Sequence, residues 1–167
     1  MSTAQMFLLS PAYCAGRRAK ILLNPASPAD LAVRLREGTL TLGEAFSFMS
    51  GLYFRGKLTY ALRFGRGSRE LPPVLVITPT RGLQPPDLTV TADLIREFAA
   101  VDISADDPRY HLPLERDVNA LAARLPPGAR AVLHQLSGTW EAETSWSATA
   151  VVSTASGEKF RSTLSWK

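Results

Sequence analysis

Three short apolar runs punctuate the chain: Met6-Phe-Leu-Leu9, Val74-Leu-Val-Ile77 and Ala131-Val-Leu-His134. Runs of this length without polar alternation predict strands buried on both faces. Each opens into a loop of hydroxyls, glycine or cations: Ser10-Pro-Ala-Tyr-Cys-Ala-Gly-Arg-Arg18, Thr78-Pro-Thr-Arg-Gly82 and Gln135-Leu-Ser-Gly-Thr139. Between the strands the spacing turns helical. Ser27-Pro-Ala-Asp30 predicts a helix start with Ser27 as N-cap, closed at Gly38. Thr41-Leu-Gly-Glu44 has capping-box spacing, with Leu42, Ala45, Phe46 and Met49 on one face. From Leu52 to Phe64 the inward positions are Phe54, Leu58, Ala61 and Leu62, with a bend or break expected at Gly51 and Gly56. Thr91 caps a helix to about Ala100 with Leu94, Ile95 and Phe98 inward. Asp102 to Pro113 reads as irregular, and Leu114, Val118, Leu121, Ala122 and Leu125 as an amphipathic helix stopped by Pro126-Pro-Gly128.

Strands alternating with helices predict an α/β fold: a three-layer domain with a mainly parallel sheet and right-handed crossovers. The three loops would then gather at the carboxyl edge of the sheet, where open α/β folds bind ligands. This core spans residues 1–136. The tail, residues 137–167, differs: 12 of its 31 residues are Ser or Thr, and it holds all three tryptophans. Ala148 to Thr154 and Lys159 to Trp166, around Ser156-Gly157, predict a C-terminal β-hairpin packed on or added to the same domain. Its edge strand would suit pairing with a second copy or another partner.

Composition narrows the class. The 167 residues fit one domain, and 46% hydrophobic with 20% charged residues is ordinary for a globular protein. One cysteine, Cys14, excludes an intramolecular disulfide and a cysteine-based zinc site. No apolar run approaches the roughly 20 residues of a membrane span. With no basic, apolar leader either, the expectation is a cytoplasmic protein without a membrane partner. The formal charge is +4, and the tail contributes three cations and three anions, so the excess lies within 1–136. That balance is compatible with a nucleotide or nucleic-acid partner.

The first loop offers Ser10, Tyr13, Arg17 and Arg18, a set suited to a phosphate because guanidiniums hold its oxygens bidentately. The alternative is that the arginines are solvated on a loop or at a helix start. In the second loop Thr78, Thr80, Arg81 and Gly82 either grip a ribose, base edge or phosphate, or form a structural turn whose hydroxyls satisfy local backbone. Ser137 and Thr139 complete the ligand-binding set from the third loop. Arg55, Lys57, Arg63, Arg66 and Arg69, with Tyr53, Phe54 and Tyr60 among them, form a candidate nucleic-acid patch, although the aromatics read as core. Cys14 has no visible activating base: His134 lies in a strand and His111 in a loop. Asp102, Asp106 and Asp107 lack paired histidines and read as solvated, so no metal is expected. Neither a Walker nor a Gly-x-Gly-x-x-Gly pattern occurs, so no cofactor is expected. Any reaction would be glycosyl or nucleobase transfer rather than hydride transfer.

Phe7-Leu-Leu-Ser-Pro-Ala12 resembles the N-terminal strand-loop of the YaaA-type peroxide-stress proteins. Leu52 to Ala61, Val74 to Leu83 and Pro86-Asp87 are similar to motif blocks of small YaaA-related domains. The resemblance spans about residues 6–136 in block order. It implies a Rossmann-like domain linked to DNA binding, oxidative stress or nucleotide chemistry, with Ser10, Pro11, Thr80, Arg81 and Gly82 in the motif loops. Tyr13 stands where that family usually has a lysine, and Thr78-Pro79-Thr80 replaces a Ser-Ala-Lys-like triplet.

Overall fold

The computed structural model describes residues 4–68, 71–104, 106–125 and 129–134, together with 146–148 and 164–166. In chain order the elements are β1 (Gln5–Leu9), α1 (Arg17–Leu23), α2 (Asp30–Arg36), α3 (Leu42–Ser50), α4 (Leu52–Phe64), β2 (Val74–Thr78), β3 (Gly82–Gln84), α5 (Ala92–Ala99), α6 (Pro108–Arg124), β4 (Arg130–His134), β5 (Trp146–Ala148) and β6 (Leu164–Trp166). The chain is α/β, built on a mixed four-stranded sheet of order β3-β2-β1-β4. β1 pairs parallel with β2 (Leu9 opposite Val76) and with β4 (Leu9 opposite His134). β5 and β6 pair antiparallel in a separate two-stranded sheet. Residues 149–163, on which most of the expected tail hairpin falls, the stop at Pro126-Pro-Gly128, and Ser137, Thr139 and Arg69 lie outside the described residues.

The runs of β1 and β2 are buried on both faces, as their unbroken pattern requires, whereas Ala131, Val132 and Leu133 of the edge strand β4 are only half-buried, because a sheet edge has a neighbour on one side alone. Successive side chains of a strand point to opposite faces, so Phe7, Leu9, Val74 and Val76 enter one cluster with Leu22, Leu35, Phe46, Phe54, Ile95 and Phe98. Met6, Leu8, Leu75 and Ile77 enter a second with Leu83, Tyr110, Leu114 and Leu121. Helices α1–α5 therefore cover one face and α6 the other. Phe46 is the pivot of the first cluster, meeting Phe54 edge-on at 5.5 Å and Phe98 at 6.1 Å. Such pairs stabilise by about 0.5–1.5 kcal/mol beyond area burial.

Two helix starts fall where their caps require. Thr41 accepts from the Glu44 N–H while Glu44 Oε2 accepts from the Thr41 N–H, and Thr91 Oγ1 accepts from the Leu94 N–H. Other boundaries correct the sequence reading. Ser27 does not cap a helix; its hydroxyl closes a turn onto the Ala29 N–H, and α2 begins at Asp30. The chain breaks at Gly51, whose φ is 69°, but α4 runs unbroken through Gly56. The second half of the stretch read as irregular, from Pro108 to Pro113, is helix: Asp107 caps it with Pro108 in the first turn, and Pro113 sits inside α6. The first loop ends in α1 from Arg17, the helix start that the sequence offered only as an alternative, with Gly16 as an N-cap that makes no side-chain bond. Finally, Val74–Thr78 leads into a tight turn rather than an open loop, and returns antiparallel as β3, with Thr78 opposite Gly82. Among the described residues no helix is long and apolar enough to cross a membrane.

Candidate functional site

Because β2 and β4 run parallel to β1 on either side, Ser10 emerges at the carboxyl end of an interior strand. A lysine meets it there. Lys57 lies three residues after Phe54 and four before Ala61, so helical geometry carries it to the inner face of α4 with them. It is 9% exposed, and its Nζ donates to Ser10 Oγ at 2.7 Å. Burial pushes its pKa below the usual lysine value. No carboxylate pairs with it among the described residues. In the same loop the Cys14 thiol is buried, donates to the Ala12 carbonyl at 3.3 Å and is pushed up to about 12. Burial holds it as the inert thiol. Tyr13 is exposed.

The start of α1 places Arg18 beside the junction of α3 and α4, while Arg17 is exposed and is not among the residues lining the cleft there. Arg18 Nη1 donates to the Phe48 carbonyl at 3.2 Å, and a Cβ on Gly51 would stand 2.6 Å from the same nitrogen. Glycine is favoured at position 51 by its positive φ, and a Cβ there would also push the tip of the Arg18 side chain aside. Around this contact opens a cleft of about 410 Å³ lined by Arg18, Leu31, Glu44, Ser47, Phe48, Leu52 and Arg55. Glu44 is already engaged: Arg34 holds it at 2.7 and 2.8 Å, and with the Thr41 cap this lowers its pKa to about 2. Its charge is thereby offset. Arg18 and Arg55 have no carboxylate partner among the described residues. Two cations on an apolar cleft of this size suit an anionic ligand with an apolar body.

The second loop is closed on itself. Thr78 is fully buried; its hydroxyl donates to the Gly82 carbonyl at 2.9 Å and accepts from the Arg81 N–H at 3.1 Å. Arg81 is engaged bidentately by Glu97 of α5, Nε at 2.8 Å and Nη2 at 2.6 Å, and Thr80 donates to the same carboxylate. Gly82 turns at φ 61°, and the next N–H, of Leu83, donates to Asp117 of α6 at 2.9 Å. Here the geometry fits the structural turn: both hydroxyls and the cation are spent inside the protein.

The basic patch divides. Arg55, Arg63 and Arg66 are exposed, whereas Lys57 is removed from the surface by its inward position on α4. The aromatics also divide. Phe54 is core, but Tyr53, Tyr60 and Phe64 are exposed, although the Tyr60 ring meets Phe7 edge-on at 5.7 Å. His111 lies on α6 rather than in a loop, its Nδ1 3.2 Å from the Asp107 carbonyl oxygen. Asp107 is that helix's cap and pairs with Arg109. Sequence reasoning missed the Ser10–Lys57 contact. The signal was the spacing 54–57–61, which places a lysine in the apolar stripe, but the residue was weighed by its charge.

No protein-family model, curated protein or solved structure matches the chain.

Proposed function

We propose that this chain binds a phosphate-bearing ligand of nucleotide or nucleoside type in the cleft at the starts of α1 and α4. The observation that carries the reading is the pair Arg18 and Arg55 lining one cleft without a carboxylate partner among the described residues. The parallel strands on both sides of β1 and the helices on both faces support a Rossmann-like reading of the fold. The likeness of residues 6–12, 52–61 and 74–87 to YaaA-type blocks points the same way, towards nucleotide or DNA chemistry. Arg17, exposed beside Arg18, would add to the field at the cleft mouth.

The test is a thermal-shift titration with nucleoside monophosphates, inorganic phosphate and uncharged nucleosides. A ligand of the folded state raises the midpoint saturably. Nucleoside monophosphates should do so, with Arg18→Ala and Arg55→Ala each weakening binding about tenfold, the scale of one lost charge-assisted hydrogen bond. Wild-type affinity in both variants would sink the proposal.

A second reading is favoured by the exposed side of α4, where Tyr53, Tyr60 and Phe64 stand with Arg63. Exposed aromatics interleaved with cations suit single-stranded nucleic acid, bases stacking on rings while guanidiniums track phosphates. It calls for oligonucleotide binding that weakens steeply with salt. It also requires loss of binding in Tyr53→Ala and indifference to Arg18→Ala, which faces the cleft.

A further inference from the structure

We infer that Ser10 and Lys57 form a nucleophile–base pair for acyl transfer from a carboxylic ester, an activity independent of what the arginine cleft binds. Three observations carry it. Nζ and Oγ are in hydrogen-bond contact at 2.7 Å, the reach a general base needs. The lysine is buried without a carboxylate among the described residues, so nothing there holds it in the charged form, and its desolvation favours the free amine that such a base requires. Third, in the loop that follows Ser10 the backbone N–H groups of Tyr13, Cys14 and Ala15 meet no acceptor among the described residues. Backbone donors left open in the loop that carries a nucleophile are available to hold a developing oxyanion. Ser10 itself is half-buried at the carboxyl edge of the sheet, within reach of a substrate. The other nucleophile in the loop, Cys14, is buried as the thiol.

The step balances without a further reagent. The free amine of Lys57 takes the Ser10 hydroxyl proton as Oγ bonds to the ester carbonyl carbon. The tetrahedral adduct collapses by breaking its bond to the alcohol oxygen, which leaves with the proton from the Lys57 ammonium. Water then attacks the Ser10 ester, passing a proton through Lys57 to the departing Oγ, and the acid and free serine are released. The net reaction is ester plus water to acid plus alcohol.

A structural role for the pair makes a different prediction. If the hydrogen bond were there for stability, removing the lysine would unfold or weaken the chain; a buried amine kept for chemistry carries a desolvation cost that Lys57→Met removes. The experiment exposes the whole chain to a fluorophosphonate, whose phosphorus takes the serine oxygen as fluoride leaves, and maps the adduct by mass spectrometry. One adduct on Ser10 is expected in the wild type and none in Ser10→Ala. Lys57→Met should keep its melting midpoint and label about a hundredfold more slowly, within the usual range for loss of a general base. Lys57→Arg, which retains a donor but does not release its proton, should be equally slow and carries the test if Lys57→Met fails to fold. An unlabelled Ser10 in the wild type, or labelling at the wild-type rate in a folded Lys57 variant, overturns the assignment. Neither outcome bears on nucleotide binding at Arg18 and Arg55.

Discussion

Glu97 takes three hydrogen bonds from one tight turn, two from Arg81 and one from Thr80, and these lower its pKa from the usual 4.5 to about 2. A carboxylate whose pKa is depressed by folding contributes stability that is complete above its unfolded value and is lost as pH falls through the folded one. The window therefore runs from about pH 4.5 down to about pH 2. Both partners are partly solvated, with 57% of the Arg81 and 37% of the Glu97 side chain exposed, so screening reduces the contribution to about 1 kcal/mol. Glu97→Gln should thus lie about 1 kcal/mol below wild type at pH 6, with the gap closing towards pH 2 in denaturant titrations. A gap constant over that range would refute the linkage. At Gly82 the cost is steric: a Cβ there would stand 2.6 Å from the Pro113 carbonyl oxygen and 2.2 Å from Asp117 Oδ2, at φ 61°. Gly82→Ala should lose about 1–3 kcal/mol, read as a lower urea midpoint.

At the scale of elements, Gly51 and Gly56 have opposite meanings although both interrupt the same apolar pattern. Gly51 separates α3 from α4 at φ 69° and leaves room for Arg18. Gly56 sits inside α4, exposed, with no atom within 4 Å of where its Cβ would be. Its only contribution is backbone freedom in the unfolded chain. Gly56→Ala should therefore stabilise by about 0.5–1 kcal/mol, whereas Gly51→Ala should destabilise, in paired thermal melts. Equal effects of one sign would contradict the assigned break. Element ends were legible where a hydroxyl closes its own helix, as at Thr41 and Thr91, although Asp107, which also caps with its side chain, was read as loop because of the proline that follows it. They were not where the cap lacks a side-chain bond, as at Gly16 before α1, or where a hydroxyl serves a turn instead, as at Ser27.

For the molecule as a whole, the fold class was legible in the local pattern. Unbroken apolar runs at 6–9, 74–77 and 131–134 read as strands, of which the first two are buried and the third is a half-buried edge, and the helical spacing between them required helices to cover the sheet. These are properties of neighbouring residues, set by dihedral preference and by the period at which side chains point inward. The antiparallel return of β3 was hidden because its three residues, Gly82–Gln84, are too few to show a period. The candidate site was legible only as a location, the carboxyl edge. Which cations face a ligand there was decided by packing. Arg81, 16 residues from Glu97, is neutralised because α5 docks beside the β2–β3 turn. Lys57, 47 residues from Ser10, is drawn under the sheet edge because α4 packs its inner face on β1. In the same turn of α4, Arg55 is left at the cleft. Sequence determined the elements and their buried faces, because those follow from contacts within a few residues; tertiary structure decided which charges are spent and which are offered, because that depends on partners the chain brings together only by folding.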